Sequence, residues 1–222
     1  KMFVSGSTGA GVAEYTLSTA FDVSTASHVD TLSVSAQDTY PKGHAFNSDG
    51  TKMFVVGLTG KDVNEYTLST GFDVSTASFV DSFSVSSQET APVGITFNTD
   101  GTKMFVIGHS GADVNEYTLS TGFDVSTASY DSSFSVSSQE RYPSSVTFSN
   151  DGKKMFVIGI NDDEVNEYSL STGFDVSTAS FVGNFSVSPG VPAPNCLAFN
   201  NDGTKMFVGD HLGKDINEYT LT

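Results

Sequence analysis

Five glutamates, Glu14, Glu65, Glu116, Glu167 and Glu218, recur at one constant spacing, each followed by tyrosine. Paired carboxylates on neighbouring strands are the equipment of glycoside hydrolysis, so a repeated strand glutamate raises that chemistry first. Four histidines, His28, His44, His109 and His211, could move protons or ligate a metal near neutral pH. Two aspartate series, Asp49, Asp100, Asp151 and Asp202 before glycine and Asp22, Asp73, Asp124 and Asp175 in "FDVSTAS", could offer oxygens to calcium. Each idea meets a physical obstacle. The histidines show no metal-ligand spacing, and no nucleophile stands beside a recognisable base. Calcium takes about 6–8 oxygens, whereas each N-x-D-G loop supplies one sure carboxylate and lacks the alternating acids of an EF-hand loop. If calcium binds repeatedly, it binds where the Asp-Gly and "FDVS" loops bring two carboxylates together. Otherwise no cofactor is expected.

What must position these residues is a repeat. "KMFV" begins at Lys1, Lys52, Lys103, Lys154 and Lys205, a fixed period of 51 residues with no insertion or deletion. Residues 52–102 and 103–153 share 36 of 51 positions, which marks an array of near-identical structural units. Within 92–138, "GITF" (94–97), "KMFVIG" (103–108), "VNEYTLS" (114–120) and "SSFSVSS" (132–138) read as four short strands bounded by turn residues. The Asp-Gly between the first two supplies the positive-φ residue of a hairpin. The aspartate of "FDVSTAS" is placed to accept backbone N–H bonds and nucleate a tight or single helical turn. Four hairpin-linked strands per unit describe one blade of a propeller. Successive glutamates then fall on different blades, rotated apart. Hydrogen bonding between blades is their expected use.

The expected fold is therefore an all-β, single-domain β-propeller over residues 1–222, built of four-stranded antiparallel blades. Five full units would need 255 residues, 33 more than the 222 present. The shortfall matches one innermost strand in the first blade and one outermost strand in the last, giving five blades with both end blades incomplete. The unpaired strand edges that result predict a monomer or an edge-mediated, strand-swapped oligomer.

The unit "F-N-x-D-G-T-K-M-F-V … V-N-E-Y-T-L-S-T-x-F-D-V-S-T-A-S" resembles tandem propeller repeats of marine bacterial and bacteriophage proteins. It is more distantly similar to the "P-D-G-x-x-x-Y-V" repeats of bacterial surface propellers. The resemblance covers the whole chain. It implies an adhesive module of a secreted, cell-surface or virion-associated protein, and it carries over no catalytic residues. Without tryptophan, neither a WD dipeptide nor a sialidase-type Asp box can be present.

Ten basic against 26 acidic residues give a net charge of −16. This argues against nucleic acid and anionic membrane surfaces as partners. A solvated acidic surface keeps a repetitive chain soluble. No run suggests membrane insertion, and nothing at the start resembles a signal peptide. Because the chain opens on "KMFV", inside a motif, it reads as a fragment, so missing targeting signals carry little weight. A single cysteine, Cys196, excludes an internal disulfide and is expected to be a buried structural thiol.

Comparing the units with one another locates function. The loops after the first strand and the "STGFDVSTAS" connections hardly change. The loops after the second strand ("STGAGVA", "LTGKDVN", "HSGADVN", "INDDEVN", "HLGKDIN") and the inter-blade connections ("QDTYPKGHA", "QETAPVGIT", "QERYPSSVT", "PGVPAPNCLA") do. In an up-and-down blade these two variable sets share one end. They carry Tyr40, Lys42, His44, Lys61, His109, Arg141, Tyr142, Asp162, Asp163, Glu164, His211 and Lys214. Variable loops on a rigid scaffold, with aromatic and Arg anchors, are expected to bind a glycan or protein ligand. The expected protein is non-catalytic. The alternatives are a propeller enzyme of lyase or lactonase type using the same end, and a structural spacer.

Overall fold

Each "DGT" sequence closes a hairpin in the same way. Gly50, Gly101, Gly152 and Gly203 lie at φ between +68° and +72°. The Asp49 carboxylate accepts the Thr51 N–H (2.9 Å) and hydroxyl (2.6 Å), and Asn47 Oδ1 accepts the Lys52 N–H at 2.9 Å. In the "SNDGK" copy, Ser149 Oγ takes the place of the asparagine and accepts the Lys154 N–H. The glycines also admit a neighbour: a Cβ on Gly50, Gly101 or Gly152 would fall inside the ring of Phe72, Phe123 or Phe174.

A computed structural model describes residues 1–188 and 190–221. It contains five antiparallel sheets arranged as the blades of a propeller. Blade 1 holds β1 (Met2–Gly6), β2 (Gly11–Leu17) and β3 (Ala26–Ser33). Blade 2 holds β4 (Pro41–Phe46), β5 (Lys52–Gly57), β6 (Asp62–Leu68) and β7 (Ala77–Ser84). Blade 3 comprises β8 (Pro92–Phe97), β9 (Lys103–Gly108), β10 (Asp113–Leu119) and β11 (Ala128–Ser135). Blade 4 comprises β12 (Pro143–Phe148), β13 (Lys154–Gly159), β14 (Glu164–Leu170) and β15 (Ala179–Ser186). Blade 5 has β16 (Pro194–Phe199), β17 (Lys205–Asp210) and β18 (Asp215–Thr220). Blade 1 lacks the innermost strand and blade 5 the outermost, as the repeat arithmetic predicts. The innermost strands β4, β8, β12 and β16 contact one another in series.

The fourth strand starts earlier than the sequence suggests. It opens inside "TAS", at Ala128 in blade 3, directly after a 3-10 turn at Val125–Thr127 that Asp124 caps by accepting the Ser126 N–H. This outermost strand faces solvent along most of its length, so its first half shows no apolar alternation to read. Val136, read as part of it, lies beyond its end and is buried.

The core lies between blades. Phe54, Val63, Met104, Leu119 and Val125 pack between blades 2 and 3; Phe105, Val114, Met155, Leu170 and Val176 repeat the arrangement between blades 3 and 4. A three-ring phenylalanine cluster marks each of the interfaces between blades 1 and 2, 2 and 3, and 3 and 4, with centroid separations of 4.5, 5.4 and 6.2 Å among Phe54, Phe97 and Phe123.

The repeated glutamates bond across these interfaces. Glu65 Oε1 pairs with Lys52 Nζ at 2.7 Å within its blade, and Oε2 accepts the Val125 N–H of the next blade at 3.0 Å. Glu14 and Glu116 accept the N–H groups of Val74 (3.1 Å) and Val176 (2.9 Å). Lys52 Nζ also donates to the Phe123 carbonyl at 2.6 Å. These are structural carboxylates, held apart on separate blades. Where blade 5 meets blade 1, Lys205 donates to the Phe21 carbonyl (2.9 Å) and Phe207 stacks on Phe21 with centroids 6.4 Å apart.

Cys196 is exposed, contrary to the expectation of burial. It sits on β16, the innermost strand of blade 5.

Candidate binding face

The two ends of the blades differ. At the constant end, the Asp-Gly hairpin and the "FDVS" turn of one blade lock together: the Phe72 N–H donates to the Gly50 carbonyl at 3.0 Å. Asp73 Oδ1 accepts the Ser75 N–H (3.1 Å) and hydroxyl (2.6 Å), so both aspartate series are engaged in their own turns. Among the described residues, no three His, Cys, Asp or Glu side chains converge as a metal-ion site.

At the variable end, a buried carboxylate pins the connection entering each of blades 2, 3 and 4 to the hairpin loop of that blade. Asp38 accepts N–H groups from Tyr40 (2.6 Å), Thr59 (3.2 Å) and Gly60 (2.9 Å). Glu89 accepts from Ala91 (2.7 Å), Ser110 (3.1 Å) and Gly111 (3.0 Å), and Glu140 from Tyr142 (2.7 Å) and Asn161 (3.3 Å). Burial pushes the Glu140 carboxyl above its ordinary pKa. Sequence reasoning missed these acids, although each follows the glutamine of its connection at a fixed position (Gln37, Gln88, Gln139).

Blade 5 exchanges the parts. Val191 stands where the others have the acid, and Asp210 stands where they have Gly57, Gly108 or Gly159. A Cβ on those glycines would run into the neighbouring carboxylate. In blade 5 the carboxylate instead comes from Asp210 itself, which is buried and accepts the Leu212 N–H at 2.9 Å. Pro189, in the same connection, lies outside the described residues.

Four predicted site residues come into two close pairs. Lys42 Nζ lies 4.6 Å from the centre of the Tyr40 ring, a cation–π contact. His109, from the β9–β10 loop, meets Tyr142 edge-on at 6.0 Å. Burial, aided by the positive charge of Lys42, lowers the His109 pKa, so the ring is neutral near pH 7. Its Nε2 is buried with no hydrogen-bond partner. Tyr40 and Tyr142 are 43% and 50% exposed, unusual for large aromatics and available to a ligand.

The other predicted residues lie on the same loops without joining these pairs. Lys61 and Asp163 occupy left-handed positions at φ 55° and 52°, and their carbonyls accept the N–H groups of Val85 and Val187. Asp162 Oδ1 accepts Asn161 Nδ2 at 2.9 Å, and Glu164 binds Asn184. Arg141 and His211 are exposed. Lys214 is a third left-handed position, at φ 57°.

His44 is different. It lies within β4, half-buried, with its ring against the edges of Phe3 and Phe46 and Nδ1 3.1 Å from Ser5 Oγ of blade 1. Burial lowers its pKa to about 4. It acts as a joint between blades.

No family model and no curated protein matches this chain. Solved structures do. A protein from Lactobacillus plantarum superposes with a TM-score of 0.62 at 12% identity, over 99% of this chain and 63% of its own. A candidate 6-phosphogluconolactonase from Bacteroides uniformis gives 0.60 at 13%, over 96% and 62%. The periplasmic gluconolactonase PpgL of Pseudomonas aeruginosa gives 0.55 at 15%, over 96% and 60%. The chain thus spans about three fifths of the length of these proteins. At such identity the likeness is one of fold: this chain is similar to these propellers in blade architecture.

Proposed function

We propose that this propeller is a non-catalytic binding module that recognises a glycan on its variable face, as part of a secreted, cell-surface or virion-associated protein. The observation that carries the reading is the exposed Tyr40–Lys42 pair beside the His109–Tyr142 pair, on the end where the repeats diverge. Exposed tyrosine rings offer apolar faces to sugar C–H groups while their hydroxyls stay wet. Lys42 and the exposed Arg141 add donors on a molecule of net charge −16, favouring an acidic or hydroxyl-rich ligand at that point. The buried carboxylates beneath hold the loops in place, so little ordering is needed on binding. A glycan array tests the reading. Tyr40→Ala and Tyr142→Ala should abolish any hit while the fold is retained; a hit that survives both changes would place recognition elsewhere.

A second reading is a lactonase-like enzyme using the same end. The fold likeness to PpgL and the neutral His109, with its unpartnered Nε2, favour it. Hydrolysis of gluconolactone or its 6-phosphate that is lost in His109→Gln would establish it over simple binding.

A further inference from the structure

The blades are near-copies, so a side-chain pair found at one interface alone is not needed to hold the fold. Lys42 and His109 are such a pair. The positions equivalent to Lys42 carry Val93, Ser144 and Asn195, and those equivalent to His109 carry Ser7, Leu58, Ile160 and His211. A lysine on one innermost strand beside a histidine of the next blade therefore arises once, between blades 2 and 3, each of which has its four strands.

The innermost strands bring the two residues together. A Cβ on Gly43 would lie 2.7 Å from the Val93 carbonyl oxygen, and one on Gly94 2.9 Å from that of Ser144, so the backbones of β4, β8 and β12 touch. Lys42 stands one residue before Gly43. His109 is anchored at the start of β8, its N–H donating to the Ala91 carbonyl at 3.1 Å. Tyr142 stands one residue before β12 and lays its ring edge-on to His109. Lys42 is close enough for its charge to oppose protonation of the His109 ring. The other charged group facing that ring is Glu89, whose carboxylate is engaged by the N–H groups of Ala91, Ser110 and Gly111.

Both nitrogens are left over. The five lysines of "KMFV" each pair with a repeated glutamate, whereas Lys42 forms no ion pair among the described residues and lies over the Tyr40 ring. His109 Nε2 is buried without a partner, a cost in free energy that an incoming acceptor removes. A cation beside a second idle nitrogen, with the nearest carboxylate already occupied, suits an anion.

We propose that the glycan bound at the variable end is an acidic one, its carboxylate or phosphate held between Lys42 Nζ and His109 Nε2, with Tyr40 and Tyr142 against the sugar ring. The choice of a glycan rests on the binding reading of this face; the anion pocket stands without it. Lys42 supplies charge and His109 a directed N–H. Tyr142, half-exposed, turns aside to admit the anion oxygen. A bound anion favours the protonated imidazole, so His109 takes up a proton from solvent as the complex forms. Affinity therefore rises as pH falls below about 7.

The test follows the four histidine ring signals by NMR while inorganic phosphate, and separately acetate, is titrated into the folded 222-residue protein at constant ionic strength. The His109 signal, identified with His109→Gln, should shift saturably, and its titration midpoint should rise by about one pH unit. Lys42→Met, which keeps an apolar stem over Tyr40, should weaken phosphate about tenfold. Lys153→Met, at the exposed constant end, should leave phosphate binding unchanged. A His109 signal that neither anion moves, or movement matched by the exposed His28 and His211, would overturn the proposal. A glycan array carrying neutral, uronate-terminated and 6-phosphorylated forms of the same oligosaccharides separates carboxylate from phosphate, and hits confined to one acidic form are expected. Neutral and acidic forms bound alike would overturn the acidic assignment and leave the glycan reading intact. An anion response with no array hit would uphold the pocket and overturn the glycan reading.

Discussion

The constant end of the propeller and the variable end use carboxylates for opposite purposes. At the constant end the exposed aspartates of the Asp-Gly turns and the half-buried ones of the "FDVS" turns hold local backbone shape, with bonds to residues two positions away. At the variable end Asp38, Glu89 and Glu140 are buried and reach about twenty residues along the chain to tie two loops together. A local turn tolerates few sequences, so that end is written almost alike from blade to blade. A buried tie needs only a carboxylate and backbone N–H groups, so the side chains above it are free to vary. Blade 5 departs from this: Val191 replaces the acid, and the buried Asp210 carboxylate accepts a local bond from the Leu212 N–H two residues on.

The largest test of this contrast is at the constant end. Gly101→Ala would demand a left-handed alanine at φ +72° and displace the Phe123 ring. Strain and overlap together should cost about 3 kcal/mol, read by chemical denaturation. Next comes the inter-blade glutamate. Glu116→Gln weakens a buried carboxylate's bonds to Lys103 and the Val176 N–H and should cost about 2 kcal/mol. The same change at Glu167, which is part-exposed with one ion pair, should cost below about 0.5 kcal/mol. Equal losses at the two positions would erase the distinction between a glutamate bonded across an interface and one paired within its own blade.

A smaller effect concerns pH. The folded-state pKa of His44 lies near 4, below its ordinary value of 6.5, so the unfolded chain binds the proton more tightly. The stability tied to its neutral form is fully present above pH 6.5 and is lost as pH falls toward 4. For a half-buried ring this amounts to on the order of 1–2 kcal/mol at most. His44→Gln should therefore show a flatter fall in Tm between pH 7 and 5 than the parent chain. Smallest of all, Tyr40→Ala, Arg141→Ala and Tyr142→Ala at the variable end should each shift stability by less than about 0.5 kcal/mol. A larger loss would mean that these side chains support the blades.

The blade count, the hairpins and the inter-blade role of the glutamates were legible because each rests on spacing alone. "KMFV" at a fixed period sets the register, Asp-Gly sets the turn, and a group repeated on separate blades cannot form one cleft. Other features depend on what lies opposite in space. Asp38 and Glu89 sit in polar connections and look solvated until the hairpin loop folds over them. His44 looks like a loop residue until β4 is seen to begin at Pro41. Cys196 looks like core until β16 is seen to leave it exposed. The start of the outermost strand is invisible because a strand covered on one edge by solvent needs no apolar alternation.

The contact that joins Lys205 to Phe21 spans 184 residues, whereas its counterparts between blades 2 and 3 and between blades 3 and 4 span 71. In kinetic terms, the propeller can grow blade by blade from short-range closures, leaving a single long loop to be shut last. At that seam the described residues supply the Lys205–Phe21 hydrogen bond and the Phe207–Phe21 ring stack. Native-state hydrogen exchange should therefore proceed from β1–β3 and β16–β18 inward, with the amides of β9 and β10 protected up to global unfolding. The ring behaves as a spring clip with one latch, and its lifetime in the closed form is set at Phe21.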